Sequence, residues 1–462
     1  MANLDRIANV AIALASASIQ QANFSSMLIL APHNLDTARV MVVTDPSDLI
    51  NAGIDPTDAL FIAVDDAFGQ IPSVTNVSIG RQQVLNQAIT VASPVSQGDV
   101  FSFSIGKVVN GVKVLVPFTY TAPATPTAAS VATALAAAIT AAITGGTSLP
   151  LTATATGAVV NLVGSGVYSL ESLSSNLSFS INPASTEDVI TALSACQAEN
   201  PAWYGINITS RVAADQLEAA SWAEGQLKLF GTATADPTTL ATTTTDVMAQ
   251  VAAKNYFRTF VYYHALAATE YIESAIMSKK FTVNPGGENW ANATLGGVTA
   301  DNLSETASIN IRNKNGNTFE PFKDQNAVVP VNLTQYGKVG GNEWIDVIRF
   351  RDWLADTIKV NVVSASIDRR IPFTDPGIRV IKSAMQAALD LGVKRGGIAP
   401  ASVDAQNNVI PSYTITVPLR ADVPSNDVAN RVLNDMKFSA ILAGSINNIN
   451  INGTLSYSFG AG

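Results

Sequence analysis

WYGINITSRVAADQLEAASWAEGQLKLFGTA, residues 203–233, sets the fold class of the chain. TrpTyrGlyIleAsnIle (203–208) is apolar and reads as a strand. Residues 212–224 mix apolar and small residues with charged ones and read as an amphipathic helix. LysLeuPheGlyThrAla (228–233) is a second strand. Strands alternating with helices build a sheet covered by helices.

Upstream the pattern repeats. Residues 26–31 and 39–43 read as strands, 58–68 as a helix and 73–79 as a strand. Asp45-Pro46 and Asp55-Pro56 mark turns or helix starts, because Asp caps a helix and Pro suits its first position. Ser185-Thr186-Glu187-Asp188 opens another helix. Downstream, 246–277 reads as one long helical stretch.

At about residue 88 the composition changes. Val114 to Leu170 contains no charged residue. AspValPheSerPheSerIle (99–105) alternates as a half-buried strand does, and Asn110-Gly111 separates it from 112–117, a hairpin signal. A Thr/Ala-rich helix spans 127–144 and stops at Gly145-Gly146. Strands follow at 151–156 and 158–163. The segment reads as a small β-rich domain inserted into a larger one.

The last third is the most strongly patterned. Residues 343–359 form a helix with two faces. Asp346, Arg349, Asp352, Asp356 and Lys359 line one; Trp344, Val347, Phe350, Leu354 and Ile358 line another. The charged face is either solvated or a docking surface. Thr374-Asp375-Pro376 opens a helix closed by Gly392, 412–418 is an alternating strand, Ser425 caps a helix to about 436, and 438–444 is a strand. Residues 448–458 form an extended tail.

The fold class expected is therefore multidomain, α/β and α+β. An N-terminal arm spans 1–25. An α/β core spans 26–87 plus 182–305, with the β-rich insert at 88–181. A strand–helix–strand domain at 306–446 and a C-terminal arm at 447–462 complete it. A chain of 462 residues exceeds one hydrophobic core.

Charged residues are 14% of the chain, well under the usual share of about 25%. Two readings fit: extensive burial against neighbours, or a viral or extracellular surface of Thr, Ser and Asn. The net charge is −9, so no nucleic-acid footprint is expected. The basic excess lies in 312–395, at +4, and the acidic excess in 1–190, at −7. Neither the N-terminal apolar segment nor the run at 131–144 reaches the roughly 18–20 residues of a membrane span. No secretion signal is read at the N-terminus, so the protein is expected to be made and kept in the cytoplasm.

Chemistry is sparse. His33 and His264, the two histidines, have no ligand or triad spacing around them. Cys196 stands alone, which excludes an intrachain disulfide. No Walker A pattern occurs, and the Gly-Ser-Gly of 164–166 lacks the rest of a dinucleotide fingerprint. No enzyme activity, cofactor or metal is expected.

Residues 343–354 (EWIDVIRFRDWL), 371–378 (IPFTDPGI), 411–418 (PSYTITVP) and 438–446 (FSAILAGSI) resemble the tail sheath proteins of contractile-tailed phages. Residues 2–12, 297–304 and 314–319 extend the resemblance to most of the chain outside 88–181. It implies a structural subunit that self-assembles in stacked rings, hexameric in count, around an inner tail tube protein. Baseplate and tail terminator proteins are the further partners implied, with no nucleic acid and no stable membrane insertion. The resemblance places the chain in a virion tail, assembled in the host cytoplasm. It also implies terminal arms that add strands to neighbouring subunits. The candidate residues for this are Ile7, Val10, Ile12, Ile449, Ile451, Leu455 and Tyr457. The C-terminal domain would face the tube, with Asp346, Arg349, Asp352, Asp356 and Lys359 as its tube- or neighbour-facing charges. A tail adhesin or depolymerase is the alternative, favoured by the Thr/Ser-rich insert.

Overall fold

The computed structural model describes residues 22–182, 185–323 and 328–451. They fall into two compact units: residues 23–349 with 445–451, and residues 350–444 with Ala22.

The larger unit begins with β1 (Met27–Pro32), β2 (Val40–Val43), α1 (Ser47–Asn51), α2 (Ala59–Phe68) and β3 (Val77–Gln82). A β-rich segment follows, with β4 (Asn86–Val91), β5 (Val100–Val109), β6 (Val112–Thr121), α3 (Ala128–Ala142), β7 (Leu151–Thr156), β8 (Val159–Gly164), β9 (Tyr168–Glu171) and β10 (Leu177–Ile181). The chain returns through α4 (Val189–Glu199), β11 (Gly205–Ile208), α5 (Ala213–Glu224), β12 (Leu229–Thr234), α6 (Val247–Ala253), β13 (Thr259–Tyr263) and α7 (Ile272–Phe281). It ends in α8 (Glu305–Asn313), β14 (Thr318–Phe322), β15 (Val331–Gln335) and the start of α9 (Ile345–Ser366).

Six strands form the main sheet in the order β13-β12-β11-β1-β3-β2. All neighbours are parallel except β2 against β3. The sequence explains the difference from the insert. Strands β11, β12 and β13 are buried at every position, as strands covered on both faces must be. Strand β4 alternates buried and half-buried positions, as strands covered on one face do. Two strand glycines admit close neighbours: a Cβ on Gly205 would strike Met277 and Phe281, and one on Gly231 would strike Phe260.

Side-chain caps start the helices. Asp58, Asp188 and Asp246 accept from Leu60, Thr191 and Ala249 backbone N–H groups at 2.8, 2.9 and 3.0 Å, each worth about 1 kcal/mol.

The insert holds two small sheets, β10-β4-β8-β7 and β6-β5-β9. They share a core with α3, whose Val131, Leu135 and Ile139 are fully buried, each worth about 1.5–3 kcal/mol. A capping box of Thr127 and Ser130 starts α3. With the π-turn of Ile143–Thr147 the helical run reaches 20 residues. By length and composition it is long enough to cross a membrane, contrary to the sequence reading. Its packed face against the insert's sheets fits a core helix.

Two further expectations change. The helix expected over 246–277 is three elements. ThrPheValTyrTyr (259–263) is β-branched and aromatic, and a short run buried at every position shows no periodicity to tell strand from helix. The core expected to end at 305 continues to 349, because Asn317 bridges Tyr262 beside β13 and donates its amide to the Val261 carbonyl at 3.1 Å.

The smaller unit carries the rest of α9, then α10 (Asp375–Arg395), β16 (Ser402–Val403), β17 (Val409–Ile410), β18 (Tyr413–Thr416), α11 (Ser425–Ala429) and β19 (Lys437–Ala440). Its core is Phe350, Trp353, Leu354, Ile378, Met385, Ala388, Leu389 and Ile398. Helix α10 passes through Gly392 and ends at Gly396, whose φ of 87° suits the left-handed cap. Gly392 is retained for another reason: a Cβ there would press on Ile398 and Phe350. Helix α11 is five residues long rather than the dozen expected.

Candidate assembly surfaces

In the smaller unit, β18 and β19 form a two-stranded antiparallel sheet, with Tyr413 opposite Ala440 and Ile415 opposite Phe438. The Tyr413 hydroxyl donates to Asp390 on α10 and fixes the sheet to the helix. Among the described residues each strand has a single strand partner. Past β19 the chain is held, with Leu442 bridging Ile398 and the Ile441 carbonyl accepting from the Ala399 N–H at 2.8 Å, so the open edges are those of β18 and of residues 437–440. Around them Phe438, Ile441, Leu442 and Leu419 are exposed apolar side chains. An open strand edge beside apolar side chains is the geometry that accepts an added strand.

Residues 445–451 belong to the larger unit. Asn447 accepts from the Asn289 amide at 2.9 Å through its side chain and from the Asn292 amide at 3.3 Å through its carbonyl. Beyond that tie Ile449 and Ile451 are 75% and 86% exposed. They are the two arm residues of the sequence reading that are described. Ile7, Val10, Ile12, Leu455 and Tyr457 lie outside the described residues.

The charged face expected on α9 divides. Arg349 is fully buried. Its guanidinium donates to the Phe24 and Val283 carbonyls, both at 3.0 Å, and to the Ser25 hydroxyl at 3.1 Å. It is ion-paired with the equally buried Glu288 at 2.9 Å and stands over the Phe281 ring. A charge so enclosed ties segments of one chain together and presents nothing to a neighbour. Burial, with Glu288 beside it, pushes the Asp346 carboxyl up to about 6. Asp352 is buried and paired with Arg351 at 3.2 Å. Asp356 is half-buried and accepts from the Ala22 backbone at 3.1 Å, and Lys359 is exposed. Sequence periodicity groups the five residues on one face but does not say which face packs.

Both histidines are buried. His33 is buried, and burial with the nearby Arg81 lowers its pKa to about 3, so it is neutral. His264 lies between Asp301 (Nδ1, 2.9 Å) and Glu270 (Nε2, 3.0 Å). Burial acts to lower its pKa, but the hydrogen bond and charge of Asp301, then Glu270, raise it. The clamp holds the loop after β13 to residues 299–301, with Thr299 donating to Glu270. Among the described residues no set of His, Cys, Asp or Glu is arranged to hold a metal ion.

No protein-family model matches the sequence, and no curated protein matches it. Among solved structures the fold is similar to the helical sheath of the anti-feeding prophage in its contracted state. The TM-score is 0.52 at 12% identity, over 97% of this chain and 99% of that chain. The sheath tail protein of Listeria innocua aligns at TM-score 0.45 and 10% identity, over 89% and 90% of the two chains. The contracted PVC sheath complex of an extracellular contractile injection system aligns at 0.47 and 10%, over 97% of each. Likenesses below 0.5 are too loose to build on. The first is enough to say that the chain has the fold of a contractile sheath subunit.

Proposed function

We propose that this chain is the structural sheath subunit of a phage-type contractile tail. It polymerises in stacked rings around an inner tube and shortens to drive the tube through a host envelope. One observation carries the reading: the fold similarity to a contractile sheath protein runs from end to end of both chains. The open edges of β18 and β19 and the exposed Ile449 and Ile451 support strand exchange between subunits. The energy for shortening comes from two packings of the same subunit that differ in free energy and sum over the array. Asp356 and Lys359 remain as candidates for a surface that faces the tube or a neighbour. The chain has no enzymatic task in this scheme.

Negative-stain electron microscopy of the purified full-length chain, beside a deletion of residues 447–462, tests it. Long hollow cylinders from the first and none from the second are expected. Discrete monomers or trimers from the full-length chain under assembly conditions would overturn the proposal, and clearing of polysaccharide by them would point to a depolymerase.

A further inference from the structure

The main sheet reverses its winding between β1 and β11. From β1 the chain moves outward to β3 on one side, then returns to lay β11, β12 and β13 on the other. In open α/β sheets the space outside the carboxyl ends of the strands at such a reversal is where ligands bind. A crevice of about 550 Å³ opens there, within the roughly 300–1,000 Å³ of ligand sites. Its walls are the ends of β1, β3 and β11 and the first turns of α2, α4 and α5.

Three helix N-termini would ordinarily favour an anion. Here the protein's own carboxylates have taken that place. Asp58 and Asp188 cap α2 and α4, and Asp215, in the first turn of α5, accepts from the Ser210 hydroxyl at 2.5 Å. Glu187 and Glu218 also line the crevice, and no Lys or Arg does. Glu187 is neutralised by Arg39 at 2.6 Å; the other four carboxylates have no cationic partner among the described residues.

A second observation is independent of this charge. Thr209, at the end of β11, is 7% exposed and lines the crevice. Its N–H donates to Leu30 and its carbonyl accepts from Tyr271, but its hydroxyl has no partner among the described residues. Gln82, also 7% exposed, donates its amide to the Glu187 carbonyl at 2.6 Å. That leaves the Gln82 amide oxygen as a further acceptor at the crevice. Thr186, also on the crevice wall, has a buried hydroxyl without a partner among the described residues, and together with the Thr209 hydroxyl and the Gln82 amide oxygen it offers acceptors to a donor among the carboxylates.

We infer that this crevice binds an organic cation, an ammonium or guanidinium group that donates to Thr209, Gln82 and the carboxylates of Asp215 and Glu218. Two sources carry that chemistry: a free small amine, or a Lys or Arg side chain of a second copy of this chain. The second source rests on the sheath reading.

The full chain is titrated calorimetrically with agmatine, which carries both groups, against a sodium chloride control of equal ionic strength. Saturable one-to-one binding is expected. Glu218→Gln and Asp215→Asn together weaken it about tenfold or more, the factor for one lost charge-assisted hydrogen bond. Glu218→Gln alone, at an exposed position, guards against misfolding and weakens it by a smaller factor. No saturable binding above the salt control, or unchanged affinity in the double variant, overturns the inference. Light scattering then separates the sources. Slower cylinder growth with saturating agmatine assigns the site to a neighbour's side chain; unaltered growth assigns it to a free amine. Cylinder formation without agmatine reports on the sheath reading alone.

Discussion

In residues 23–349, three buried ion pairs tie segments together: Arg349 with Glu288, Lys314 with Asp246 at 2.7 Å, Arg211 with Glu273 at 2.7 Å. The six-stranded sheet is covered on both faces. Residues 350–444 are built otherwise. Two helices, α9 and α10, pack through Phe350, Trp353 and Leu389, and the strands beside them pair only two by two. A two-stranded sheet is marginal by itself in water. The larger unit builds its core around a six-stranded sheet, whereas the smaller one has only two-stranded sheets beside its helices. On the proposed sheath reading, the smaller unit is the one with strand edges free to meet a neighbour.

Four experiments would break or sharpen the contrast. Arg349→Ala strands Glu288 in the core and is expected to cost the larger unit about 3–5 kcal/mol, read as a fall in urea midpoint. Arg349→Met with Glu288→Gln should recover part of that loss. A silent Arg349→Ala would mean the buried pair is not what ties Phe24, Val283 and α9 together.

Trp353→Ala should cost the smaller unit about 3 kcal/mol, since Trp353 is buried against Phe350 with Arg395 stacked over it at 4.2 Å. Hydrogen exchange should rise over 350–398 and stay unchanged in β1, β11 and β12. A rise in both units would dissolve the distinction.

The third test uses pH. Burial, with Glu273 and Glu270 nearby, pushes Asp66 up to about 7. Between roughly pH 4 and 7 the native state therefore keeps a proton that the unfolded chain has released. Stability falls as pH rises through that window. Asp66→Asn keeps an acceptor for the Tyr271 N–H and should stabilise the chain at pH 8 by on the order of 1–3 kcal/mol, with little effect at pH 4. Equal melting shifts at both pH values would refute the assignment.

Phe438→Glu has the smallest expected effect on folding, within about 0.5 kcal/mol, as for an exposed position. It should nevertheless suppress cylinder growth. Normal cylinders would show that the β18–β19 sheet is not an assembly surface.

Much of the fold was legible in local patterns. Asn110 and Gly111 do form a turn, both with positive φ, and the Asp188 cap starts α4 where the sequence places it. Strand β13 was hidden because ThrPheValTyrTyr does not alternate between apolar and polar residues. Arg349 was misassigned because helical spacing groups it with Asp352 and Asp356 without revealing the Glu288 that faces it from 61 residues away in sequence. The crevice was invisible for a related reason. Thr209, Gln82 and Glu218 meet only because the sheet reverses its winding, and no short window of sequence records that.

The hairpin of β5 and β6 has one more use. Its strands are ten residues each, and residues 108–115 at its tip are exposed on both sides of the Asn110–Gly111 turn. Loop tips of this kind tolerate insertion. A foreign epitope spliced between Asn110 and Gly111 would stand clear of both hydrophobic cores. If the subunits form a cylinder, the particle becomes a scaffold that displays one copy of the peptide per subunit at regular spacing.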